Sequence, residues 1–201
     1  KEVRLYKRRW VWDPRNLLRA VFSSLPLLSI SYLNSNLKKD LHEARRAMHE
    51  MIIHFEAFGP AVFLPIFKKN THRASSIEHF HLVLGNENIE WQIYDKMARK
   101  RKRLLPLWLF MKYDVWKMCR FEHKLYKLAD INLGVSEKDC AHVKRVTGKG
   151  CYLVRNGVNI EKLNKIEKLS RSPHDSRFTI AFGGDLIYQQ NSDGLRWFLE
   201  R

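Results

Sequence analysis

The sequence predicts an α/β protein built on a mainly parallel sheet, and three observations carry that prediction. Short β-branched or aromatic runs alternate with longer stretches of helical spacing. Polar or glycine-bearing turns follow the strands and lead into helices, the grammar of βαβ units. The closing stretch "RFTIAFGGDLIYQQNSDGLRWFLER" repeats strand, glycine turn and helix, as though a new domain were starting.

Residues 1–33 are basic and aromatic and predict no definite element. Leu37, Leu41, Ala44 and Met48 then follow helical spacing, with Asn34 to Asn36 as candidate caps. "MIIHFE" (Met51 to Glu56) reads as a buried strand. Pro60 to Lys69 suits a short helix with proline in its first turn. "HFHLVLG" (His79 to Gly85) and "DINLGVS" (Asp130 to Ser136) read as the second and third strands. Ser136 with Asp139 approximates a capping box, and Gly148 is placed to stop that helix. "GCYLVRNGV" predicts a fourth strand ending in an Asn156-Gly157 turn. Residues 161–176 are polar, contain Pro173 and read as a linker. Arg177 to Phe182 predicts a strand, and Asn191, Ser192 and Asp193 are candidate caps for a helix carrying Leu195, Phe198 and Leu199.

A long helix is expected between the second and third strands. Trp108, Met111, Val115, Met118, Leu125 and Ala129 form its apolar stripe, and Glu122 lies on that stripe. A carboxylate there must find a partner or raise its pKa, since an isolated buried charge is costly. A structural role for Glu122 is the favoured reading over a direct role in a site. Just before the helix, "KMARKRKRLLPLWLF" joins a basic run to Leu104, Leu105, Trp108, Leu109 and Phe110. That pattern suits either a surface meeting anionic lipid headgroups or a solvated loop entering a core helix.

The chain has 201 residues, 45% of them hydrophobic and 29% charged, which suits about one core or slightly more. Six Trp and eleven Phe argue against disorder. A net charge of +16 admits nucleic acid, an anionic membrane face or a polyanionic substrate as partner. Cys119, Cys140 and Cys151 are odd in number and widely spaced, so reduced thiols are expected rather than a disulfide framework or zinc site. The longest uncharged apolar run, Ala57 to Phe67, is broken by Gly59, Pro60 and Pro65 and does not predict a membrane span. A chain that starts at Lys1 and stops on a βα unit suggests a fragment.

GxGxxG, GxxxxGK[ST], HExxH and GxSxG are all missing from the sequence, so a dehydrogenase, P-loop, zincin or serine-hydrolase reading has no support. His79 and His81 alternate on a strand without further ligands, and no metal site is expected. Ligands of open parallel sheets bind outside the carboxyl ends of the strands. The places to look are "GNENIE", "GVSEKD", "VRNGVN" and "FGGDLIYQQN".

Taken in order, "VLGNENIEWQIY", "ADINLGVSEKD", "YLVRNGVN" and "FTIAFGGDLIYQQNSDGLRWFLE" resemble the retaining, nucleotide-sugar-dependent glycosyltransferases of the GT-B fold. The resemblance runs from about Met51 to Arg201. It implies a partial, acceptor-side Rossmann-like domain over residues 1–160, a linker over 161–176, and the first βα unit of a second, donor-side Rossmann-like domain over 177–201. It further implies transfer of a sugar from a nucleotide-sugar donor to a glycan or lipid-linked acceptor in cell-envelope or exopolysaccharide assembly. No metal or other cofactor is implied, only the nucleotide sugar as co-substrate. The implied location is cytoplasmic, peripheral on the cytosolic membrane face, with Lys96 to Phe110 as the membrane-facing patch. The 201-residue chain alone is expected to be inactive.

The resemblance also assigns residues. Gly184, Asp185 and Asn191 fall on the donor side, where a glycine lets backbone approach a diphosphate. Asn88, Glu90, Ser136, Glu137, Asn156 and Gly157 fall on the cleft and acceptor side. Ser136 caps a helix whose N-terminus suits an anionic group. Glu87 stands where many relatives carry histidine, and is the candidate catalytic residue. Asn159 and Gln190 replace the usual aspartate and proline of their motifs. The group stabilises its leaving diphosphate with backbone N–H groups and basic side chains. Two other readings compete: a basic module binding nucleic acid or an anionic membrane without catalysis, and a non-catalytic protein keeping the GT-B scaffold.

Overall fold

Four parallel strands run in the order β1-β2-β3-β4, each paired with the next in sequence. They are β1 Glu50–Glu56, β2 His79–Asn86, β3 Ile131–Gly134 and β4 Tyr152–Leu153. The computed structural model describes residues 3–47, 50–68, 79–100, 105–162, 180–186 and 188–200. Tertiary contacts divide the chain into two units, residues 1–156 and 157–201. The first unit is an α/β domain, as expected, with a sheet compatible with a Rossmann-like fold.

A 3₁₀ helix, Pro60–Ile66, connects β1 to β2. Two helices, α4 (Glu90–Lys100) and α5 (Leu105–Leu128), connect β2 to β3, and α6 (Glu137–Thr147) precedes β4. A chain stepping one way across a parallel sheet with one hand of crossover puts every connection on the same face. Accordingly α5 touches the 3₁₀ helix, β2 and α6. Phe55, Leu82 and Leu84 point from the sheet into this layer and meet Phe58, Phe63, Leu64, Met118, Phe121 and Leu125.

The register places the alternate residues on the opposite face. There Ile52 pairs with His81, His54 with Val83, and Glu56 with Gly85. Ile52 is 73% exposed. The expectation of a buried β1 is therefore corrected: it is an edge strand whose one buried side chain is Phe55. Period-two alternation in "MIIHFE" was the signal, and its run of apolar residues masked it.

Residues 1–33, unassigned from sequence, carry two helices, α1 Pro14–Phe22 and α2 Leu27–Ser31, and the helix expected after Asn34 follows as α3 Ser35–Ala47. Asp13 caps α1 by accepting the Arg15 N–H at 2.8 Å, with Pro14 in the first helical position. Asp-Pro was a legible start signal. Ala20, Leu27 and Ile30 make a second small core with Trp12, Leu17 and Phe110. Asn34 caps α3 as expected, its Oδ1 accepting from the Asn36 and Leu37 N–H groups at 2.9 and 3.1 Å.

Three further expectations change. The fourth strand shrinks to Tyr152–Leu153, an exposed edge. Among the described residues only Ala57 and Gly148 have positive φ, so Asn156-Gly157 does not make a left-handed turn. In the second unit Ile180 to Phe182 form no strand, and the rest of the expected strand and most of the 161–176 linker lie outside the described residues. A lone strand has no ladder to complete its backbone hydrogen bonds. The helix does form, as α7 Gln189–Leu199, but it starts earlier than Asn191 and no side chain caps it.

Candidate functional site

The loops singled out in sequence after β2, β3 and β4 all leave the carboxyl edge of the sheet, because the strands are parallel. At β2, Asn86 is buried and its Nδ2 donates to the Leu133 carbonyl at 3.1 Å, tying the ends of β2 and β3. Glu87 and Asn88 come next and are exposed. Glu90 opens α4 half-buried. Burial raises its carboxyl pKa, and the neighbouring Glu87 charge adds to the rise.

The N-terminus of α4 is held from behind by Glu122. This side chain of α5 is 1% exposed. Its carboxylate accepts the Glu90 and Trp91 N–H groups, each at 3.1 Å, and the Tyr126 hydroxyl at 2.5 Å. Burial nevertheless pushes the carboxyl up to about 7, against the opposing effect of these three donors. Glu122 thus takes the structural role favoured from sequence, as a helix cap delivered across the fold. The Tyr126 hydroxyl moves upward as well, through burial and the adjacent Glu122.

At β3, Ser136 caps α6: its Oγ accepts the Asp139 N–H at 3.2 Å and donates to Asp139 Oδ2 at 2.5 Å. Gly148 ends this helix at φ 71, as its position suggested. Replacing Ser136 by alanine should cost about 1 kcal/mol by loss of the cap. Chemical denaturation would show it, and an unchanged midpoint would refute the cap. Glu137 and Asp139 lie in the first turn and already supply the helix N-terminus with negative charge. An anion there would meet them, so the cation that matters is Arg155. Its Nη2 donates to Glu137 Oε1 at 2.9 Å, joining the loops after β3 and β4. Asn156 is the next residue and is exposed.

Residues missed from sequence lie at the open end of β1. His54 Nε2 stands 3.1 Å from Glu56 Oε2, on the uncovered face. Both atoms crowd Gly85, where a Cβ would lie 2.9 Å from each. Ala57 has φ 69, and its N–H donates to the Gly85 carbonyl at 3.0 Å. A non-glycine residue in this region stores backbone strain. Arg155 carries no separate signal of its own within "VRNGVN".

In the second unit, Gly184, Asp185 and Asn191 do come together. Asn191 Nδ2 donates to the Asp185 carbonyl at 2.9 Å, and a Cβ on Gly184 would meet that nitrogen at 3.1 Å. Asn191 acts from inside α7 on the preceding loop rather than as its N-cap. Gly157 belongs to this unit and is exposed. Among the described residues no cluster of three or more His, Cys, Asp or Glu is arranged to hold a metal, and no helix is long and apolar enough to cross a membrane.

The fold and the edge define an α/β protein with a parallel sheet and polar strand-end loops. Comparison with protein-family models, with curated proteins and with solved structures finds no match for this chain.

Proposed function

We propose that this chain is part of a GT-B glycosyltransferase that moves a sugar from a nucleotide-sugar donor to a glycan or lipid-linked acceptor. One observation carries the reading. The motif-bearing loops "GNENIE" and "GVSEKD", with residues 154–156 of "VRNGVN", leave the carboxyl edge of one parallel sheet in the first unit. Glu87, Asn88, Ser136 and Asn156 then line the acceptor side, and Arg155 supplies positive charge. Gly184, Asp185 and Asn191 form the donor-side loop.

Membrane docking fits this reading. On α5, Leu105, Leu109, Tyr113 and Trp116 are exposed at helical spacing, and Trp116 is 54% exposed. Phe22 of α1, 85% exposed, helps line the groove beside Tyr113, Trp116, Arg120 and Lys124. An apolar stripe edged by cations suits anionic lipid headgroups. This stripe continues the described end of the expected Lys96 to Phe110 patch, residues 105–110, along the helix; residues 101–104 lie outside the described residues. It also favours the second reading, a non-catalytic basic module on an anionic membrane.

The test is sugar transfer by the native protein that contains this chain, offered a panel of nucleotide sugars and lipid-linked acceptors on anionic vesicles. Consumption of one donor with product formed is expected, and Glu87→Gln should slow turnover on the order of 100-fold. If no donor is consumed while vesicle binding persists, the transferase reading fails and the membrane module stands.

A further inference from the structure

The strongest unassigned feature lies where α6 meets β4. Cys140, in α6, and Cys151, just before β4, bring their sulfurs to 2.7 Å. Both side chains are half-buried, so a small reagent can reach them. Gly134, the last residue of β3, lies beneath the pair. A Cβ there would stand 2.9 Å from Cys140 Sγ and 3.3 Å from Cys151 Sγ. The missing side chain is what gives the two sulfurs room to meet. Cys119 is elsewhere, on α5, with its sulfur 3.8 Å from His123 Nε2.

We propose that Cys140 and Cys151 form a reversible disulfide that clamps β4 to α6 in response to a peroxide-class oxidant. The inference is independent of the transferase reading. The sulfur of Cys140 attacks one peroxide oxygen, the O–O bond breaks, and Cys140 becomes a sulfenic acid as one water leaves. The sulfur of Cys151 then attacks the sulfenic sulfur. The S–O bond breaks, and the hydroxyl leaves with the Cys151 proton as a second water. Two thiols lose two electrons in all, and the peroxide gains them. A dithiol reductant reverses the bond by exchange, becoming a disulfide itself. Burial, and then the contact with Cys140, raises the Cys151 thiol pKa, which suits Cys151 to the second, resolving step.

The clamp has a mechanical consequence. β4 is held to β3 through two residue pairs, Leu133–Tyr152 and Gly134–Leu153, and then by the Val154 N–H donating to the Gly134 carbonyl at 2.9 Å. Arg155 then crosses to Glu137 through an exposed ion pair, which is worth little alone. A covalent link at the root of β4 would hold the Arg155 loop against the first turn of α6. The redox state of the pair thus sets how firmly one wall of the carboxyl edge is held.

The full chain decides this directly. It is treated with hydrogen peroxide, then probed with a maleimide and by intact mass and peptide mapping. The expected result is one free thiol, Cys119, in place of three, a mass lower by two hydrogen atoms, and a Cys140–Cys151 peptide that dithiothreitol releases. Amide exchange at Val154 should slow on the order of 10-fold in the oxidised form. Cys151→Ser should stop at a sulfenic acid on Cys140 that dimedone traps. Three thiols persisting under oxidant that converts a small dithiol control would overturn the proposal. So would a bond to Cys119 or one joining two chains. The unmodified chain carries these outcomes, whether or not the variant folds.

Discussion

Lys117→Met is expected to lower stability by about 3–5 kcal/mol, the cost of breaking a buried charge pair from one side. Lys117 is 2% exposed in the middle of α5. Its Nζ donates to the Ala20 carbonyl at 2.5 Å and the Leu25 carbonyl at 3.1 Å, and lies 3.2 Å from Asp114 Oδ1. Asp114 in turn accepts the Leu27 N–H at 2.9 Å. One ammonium group thus closes the end of α1, and its partner carboxylate holds the start of α2. Burial raises the Asp114 carboxyl pKa, while the Leu27 amide and then Lys117 oppose the rise. Methionine fills the space but leaves Asp114 buried without its counter-charge and the Ala20 and Leu25 carbonyls without this donor. Urea denaturation measures the loss. The double variant Lys117→Met/Asp114→Asn should regain part of it, because the orphaned charge is gone. A single variant within about 1 kcal/mol of the parent would show that the junction relaxes and finds other partners.

The second large effect is a dependence on pH set by Glu122. Its carboxyl rises from an ordinary 4.5 to about 7 in the folded chain. The folded state therefore holds this proton more tightly than the unfolded chain does. The stabilising contribution is complete below the unfolded value and disappears as pH climbs through the folded one. Across that window the chain should lose about 3 kcal/mol from this group. Other groups around Glu122 titrate too: Glu90 is also raised, and burial lowers both His123 and His142. The lowered histidines act in the opposite sense, adding stability as pH rises from their lowered values to the ordinary one and nothing beyond it. Glu122→Gln separates the contributions. Its amide oxygen can take the place of Oε2 and accept the Trp91 N–H, while its NH₂, in the place of Oε1, donates to the Tyr126 hydroxyl as the O–H of the protonated acid would. The variant should match the parent near pH 5 and exceed it by about 3 kcal/mol near pH 8. Parallel stability curves for the two proteins would refute the buried, proton-holding carboxyl.

Several elements were legible because their signals are local. Ser136 with Asp139, Gly148 after α6, and Asn34 before α3 satisfy backbone groups within a few residues, and each functions as its spacing suggested. The apolar stripe of α5 likewise identified its own core face, Met111, Val115, Met118 and Leu125. The candidate loops were legible in the same way, as the polar or glycine-bearing turn at the end of each strand.

The failures share one cause. Whether β1 was buried depended on whether anything covered its second face, and "MIIHFE" carries apolar residues on both. Whether Arg177 to Phe182 became a strand depended on a partner, which Ile180 to Phe182 lack among the described residues. Asn191 had the chemistry of a cap, but the Asp185 carbonyl claimed its side chain.

By itself, the sequence determined the α/β class, the order of the strands along the chain, the caps of α3 and α6 and the stripe of α5. All depend on hydrogen-bond and packing rules that act over one or two turns. Tertiary structure alone decided which partners met across the fold. Lys117 reaches α1, Glu122 caps α4, Cys140 finds Cys151, and Arg155 finds Glu137. Each of those meetings depends on how helices lie over the sheet, and no short window of sequence contains both partners and the geometry between them.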